Sequence, residues 1–136
     1  MGTLETCPHN LPGRTLNWNP TDEQTRKCCS DMQDATELGA YGIAFLLIRR
    51  LTTYTVIERS RKGTGFDYWL GEGKSDYPFQ KHARLEVSGI LKGTEGEINS
   101  RVKQKLAQTQ PSDGGGLPAY IVVVEFGEPT SRVVRK

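Results

Sequence analysis

Cysteine, histidine and net charge are all scarce in this chain, and each shortage excludes a class of protein. Three cysteines, Cys7, Cys28 and Cys29, two of them adjacent, do not make a disulfide framework. An odd count without regular spacing fits a reducing compartment, and a cytoplasmic location is expected. Two histidines, His9 and His82, leave little for Ser-His-Asp or Cys-His catalysis. Cys7, His9, Cys28 and Cys29 also lack the spacing of a structural zinc site. A net charge of +2 permits contact with nucleic acid without demanding it. The most apolar stretch, Leu38 to Ile48, is too short to span a bilayer and ends in Arg49 and Arg50, so it reads as a buried helix and no membrane partner is expected. The opening MGTLETCPHN has no basic region followed by an apolar run, and no signal peptide is expected. The glycines at 114 to 116 lack the strand-loop-helix context of a phosphate loop and read as flexible linker.

What is present fits one α/β domain. A length of 136 residues, 35% of them hydrophobic, supports a single compact core. Residues 1–20, with Pro8, Pro12 and Pro20, read as an irregular arm, and 21–136 as the domain. Thr21-Asp-Glu-Gln24 matches a capping box, opening a helix expected to reach about Arg49. Thr53–Arg59, Phe66–Leu70 and Ala83–Ser88 read as three strands, the first two joined by the glycine turn RKGTG. The segment GEGKSDYPFQKH between the second and third reads as a polar loop. Thr94-Glu-Gly-Glu97 opens a second helix over about 95–109, with Ile98, Val102 and Leu106 on one face. The run Ala119–Phe126 is continuously apolar, as in a strand covered on both sides. The basic tail SRVVRK is left as a short edge element or a frayed end. The order αβββαβ predicts an antiparallel meander, then a helical crossover that lays the last strand parallel within a four-stranded mixed sheet.

Strand alternation brings the chemistry together. In the second strand Phe66, Tyr68 and Leu70 share one face, and Asp67 and Trp69 share the other. In the third, Leu85 and Val87 face one way, and Arg84, Glu86 and Ser88 the other. If the apolar sides share a core, Asp67 and Glu86 converge on the opposite face. Two carboxylates on neighbouring strands repel unless a cation lies between them, and oxygen ligands of this kind suit Mg²⁺ or Mn²⁺. The alternative for Glu86 is an ion pair with Arg84 or Arg59; for Asp67 it is a strand-start residue accepting backbone hydrogen bonds. Trp69 and Tyr68 read as packing residues, and Glu58 as a weak supporting carboxylate.

GTGFDYWLG on the second strand and LEVSG on the third, within the αβββαβ order, resemble the PD-(D/E)xK superfamily of restriction-endonuclease-like nucleases. The resemblance implies that Asp67 and Glu86 hold the divalent metal, helped by the Val87 carbonyl, with Glu37 as the acidic residue of the first helix. It implies phosphodiester hydrolysis in nucleic acid, DNA before RNA. One departure stands out: Ser88 occupies the position where the family has its lysine. A serine cannot supply that charge. The cation then comes from elsewhere, with Lys103 and Lys105 as the first candidates and Lys92 and Lys62 as further options. Arg101, Lys103, Lys105 and Lys62 are the candidate nucleic-acid contacts. Otherwise the fold is kept without cleavage, as a binding or assembly subunit that pairs with itself or with a partner protein.

Overall fold

The computed structural model describes residues 2–7, 14–72 and 80–136, and side chains in 16–72 and 80–136. Cys7 and His9, raised above in connection with zinc, and most of the polar loop after Gly71 lie outside the described side chains. The elements in order are β1 (Gly2–Cys7), β2 (Arg14–Leu16), α1 (Glu23–Cys28), α2 (Met32–Leu51), β3 (Tyr54–Arg59), β4 (Tyr68–Glu72), β5 (Ala83–Ile90), α3 (Glu95–Gln108), β6 (Ala119–Glu125) and β7 (Thr130–Arg135). The strands form one mixed sheet in the order β2-β1-β7-β6-β5-β4-β3. β3, β4 and β5 form the expected antiparallel meander, and α3 returns the chain so that β6 lies parallel to β5.

The four-strand count is too low. The basic tail is a full strand, β7, antiparallel to β6 from Tyr120↔Arg135 to Glu125↔Thr130. Its outer edge pairs in parallel with β1, where an irregular arm was expected, and β2 folds back on β1. These pairings are made by main-chain groups with partners far away in sequence, so no local periodicity announces them.

The helices are ruled by their caps. The single helix expected from Thr21 is two. Cys29 closes α1 by donating its N–H to Thr25 O, and Asp31 Oδ1 starts α2 by accepting from the Asp34 N–H at 2.9 Å. Thr94 and Glu97 form the expected reciprocal capping box on α3.

α2 lays Ala40, Ala44, Leu47 and Ile48 against Leu70, Leu85, Val87, Val122 and Val124. On the opposite face α3 lays Ile98 and Val102 against Ile121 and Val123. Covered on both sides, β5 is buried from Ala83 through Ser88, charged residues included. The glycine-rich stretch after α3 is a 3-10 turn over Gln110–Gly115, not a loose linker. The buried Arg84 guanidinium organises it, donating to Thr109 O, Ser112 Oγ, Asp113 Oδ1 and Leu117 O.

Two glycines decide how closely the layers approach. Gly89 on β5 lies under α2, where a Cβ would stand 2.7 Å from Thr36 O. Gly65, at φ +83°, presses the β3–β4 turn onto the end of α3, where a Cβ would stand 2.2 Å from Gln108 O. Gly65→Ala combines a left-handed backbone with a clash against main chain, and is expected to lower the unfolding free energy by about 2 kcal/mol or more. Gly114→Ala, at a position with open space among the described residues, should stay within about 0.5 kcal/mol, both variants being compared with the parent by urea unfolding.

Candidate active site

β4 and β5 are paired only through Tyr68↔Leu85, Trp69↔Arg84 and Leu70↔Ala83. At Asp67 the two strands part. The Asp67 N–H still reaches Leu85 O at 2.9 Å, but the next donor of β5, the Val87 N–H, goes to Asp67 Oδ2 at 2.9 Å instead of to main chain. A side chain thus ends the ladder, and the edge of β5 beyond it opens into a cleft of about 290 Å³. Both helices reach it: α2 contributes Glu37 and Tyr41, one turn apart, and α3 contributes Arg101, Lys105 and Gln108. Asp67, Glu86, Val87, Ser88 and Gly89 complete the lining.

Glu86 dominates the electrostatics. It is 1% exposed. Oε1 accepts from Lys105 Nζ at 2.6 Å, whereas Oε2 is buried and has no hydrogen-bond partner. Burial, reinforced by the nearby Asp67 charge and opposed by Lys105, pushes its carboxyl up to about 7. Asp67 lies close enough for its charge to raise Glu86 further, so a second carboxylate stands near a Glu86 oxygen that has no donor among the described residues. Only a proton or a cation relieves that contact. Burial, reinforced by the nearby Asp67 charge, also pushes the Tyr41 phenol up to about 12. Lys105 Nζ is further anchored by Gln108 Oε1 at 3.1 Å, and Arg101 Nη1 donates to Ser88 Oγ at 2.8 Å.

Asp67, Glu86, Val87, Glu37, Arg101 and Lys105 thus line one cleft. Glu86 takes neither Arg84 nor Arg59 as partner: Arg84 is committed to Asp113, and Arg59 stacks over Tyr68. Lys103 is not brought in, because α3 turns it to the exposed side while Arg101, Lys105 and Gln108 share the cleft face. Lys92 lines a separate groove at the start of α3, and Glu58 pairs with Lys81 at 3.4 Å. Lys62 is exposed in the turn that Gly65 presses against Gln108. Tyr41 and Gln108 were missed. Their signal was helical spacing: Tyr41 is i+4 from Glu37, and Gln108 is i+7 from Arg101.

As a cation site the cleft offers two carboxylates, one carrying a buried unpartnered oxygen. Among the described residues no group of three or more His, Cys, Asp or Glu side chains is arranged to hold a metal. Two carboxylates nonetheless suit Mg²⁺, which commonly takes one or two and keeps several waters. Among the described residues no helix is long and apolar enough to cross a membrane. No family model matches the chain, and no significant match to it is found among curated proteins or solved structures.

The proton held by Glu86 has a consequence for stability. Between about pH 4.5 and about 7 the folded protein keeps a proton that the unfolded chain has released. Raising the pH through that window therefore removes stability. In chelator, the stability of Glu86→Gln relative to the parent should rise from pH 5 to pH 8 by urea unfolding. An unchanged difference would mean that Glu86 is ionised throughout.

Proposed function

We propose that the protein is a divalent-metal-dependent nuclease of the PD-(D/E)xK type, with its lysine moved from β5 to α3. The observation that carries this reading is the Lys105 ammonium 2.6 Å from Glu86, beside the serine that stands in the family's lysine position. The cation missing from the strand is thereby supplied from the helix, at the same carboxylate. Asp67 and Glu86 are the metal-holding pair. Mg²⁺ or Mn²⁺ bound there supplies Lewis-acid stabilisation of charge developing on the phosphate.

The remaining roles belong to the chain. Lys105 is placed to orient the attacking water or to meet the phosphate charge. Arg101, held by Ser88, adds a second cation on the same face of α3 for a phosphodiester oxygen. Glu37 stands at the entrance on α2, where it can bind a metal-bound water. The Tyr41 phenol lines the same cleft, close to the Asp67 charge. Arg61 and Lys62, in the turn at the Gln108 end of the cleft, extend the positive lining toward a polyanion; DNA is the first substrate to test.

The test is cleavage of double- and single-stranded DNA and of RNA in Mn²⁺. Parent protein should nick at least one of these. Asp67→Asn and Glu86→Gln should abolish it, and Lys105→Met should slow it by about 10²-fold or more. Inactivity of the parent on every substrate, with activity gained by Ser88→Lys, would favour the second reading, a fold kept for binding or assembly.

A further inference from the structure

The outer side of α2 is as apolar as a helix face that packs against something. Its inner side is taken by the sheet, yet Leu38 and Leu46 are 62% and 53% exposed. They belong to a single row at four-residue spacing, Asp34-Leu38-Gly42-Leu46-Arg50, every member of which is exposed. Scattered exposed leucines need no explanation, but two on one ridge around a bare backbone do. Among the described residues, nothing beyond Gly42's chain neighbours and α2's own backbone stands within 4 Å of where a Gly42 Cβ would be, so another helix can approach the main chain there. Among the described residues neither Asp34 nor Arg50 has an ion-pair partner.

The order of charges along the row selects the occupant. It runs acid, leucine, glycine, leucine, base, and so is complementary to itself when reversed. A second copy laid antiparallel with the two-fold axis at Gly42 puts Leu38 against the partner's Leu46 and Asp34 against the partner's Arg50, and the reciprocal contacts follow by symmetry. Opposed macrodipoles favour the same orientation. Rows at four-residue spacing interlock at a crossing angle of about −50° with axes roughly 8–10 Å apart, and a glycine at the crossing suits the close end of that range. A lipid surface fits less well, since one end of the row is acidic.

We propose that α2 is the self-association face of the protein, forming an antiparallel two-fold dimer centred on Gly42. This does not depend on nuclease activity, and loss of that activity would leave it standing.

Sedimentation velocity at micromolar to submillimolar concentration tests it. The parent should reach twice the 15.2 kDa chain mass. Leu38→Glu should raise the dissociation constant by at least about tenfold. Asp34→Arg and Arg50→Asp each place like charges at both ends of the crossing, and each alone should be weakened. Mixed together they should pair, because Arg at 34 of one chain then meets Asp at 50 of the other. Circular dichroism guards against unfolding, which at exposed positions is not expected. A monomeric parent, a dimer indifferent to all three substitutions, or a mixture that fails to recover would each overturn the proposal.

Discussion

A carboxylate buried in the middle of a covered sheet is the constraint around which the cleft is organised. Glu86 sits on β5 with helices over both faces and 1% of its surface exposed. An ionised carboxylate there is tolerated only with compensating charge, and breaking such a pair leaves the cost of desolvation unrelieved. Lys105 compensates one oxygen at 2.6 Å. Among the described residues the other oxygen has no donor, and the Asp67 charge lies nearby. A purely structural role would have been served better by an apolar residue of similar size. The half-compensated pair is therefore the place where a proton or a cation would relieve the burial of Glu86.

Elements far apart in sequence hold that arrangement. Asp67 ends the β4–β5 ladder by taking the Val87 N–H on its side chain, and this opens the edge of β5. Gly89 lets α2 settle close enough for Glu37 and Tyr41 to reach the opening from one face. Gly65 seats the β3–β4 turn on Gln108, which in turn anchors Lys105. Glu125 shows how a buried carboxylate behaves when its role is structural. It accepts from the N–H groups of Gly93, Gly127 and Glu128 and ties the loops at one end of β5 and β6 together. Glu86 has no such set of donors, and the contrast separates a structural carboxylate from a candidate functional one.

The core of the fold was legible because it is written in local pattern. Alternation in β5 gave the face of Glu86, the apolar run at 119–126 gave a strand covered on both sides, and Thr94 and Glu97 announced α3. What was illegible depends on partners remote in sequence. β1 and β7 exist through each other's edges, and the turn over Gln110–Gly115 is wound by Arg84, some 25 to 30 residues away. The break between α1 and α2 was local but ambiguous, since Asp31 competes as a cap inside an otherwise helical stretch. At the site, Glu86 was readable from period 2, whereas Asp67 lies in the turn before β4 and is placed by the Val87 N–H it accepts. The choice between Lys103 and Lys105 needed the helical phase of α3 against the sheet. That phase was present in Ile98 and Val102, which face the core and set Arg101, Lys105 and Gln108 toward the cleft.

As proposed above, the Asp67–Glu86 pair would hold a divalent cation, with Lys105 as its resident counter-charge. Crystals grown in Mn²⁺ and measured for anomalous scattering test it most directly. One manganese peak is expected between the two carboxylates, roughly 2.1–2.2 Å from an oxygen of each. Manganese absent from the cleft, with Lys105 still paired to Glu86 at saturating metal, would contradict it.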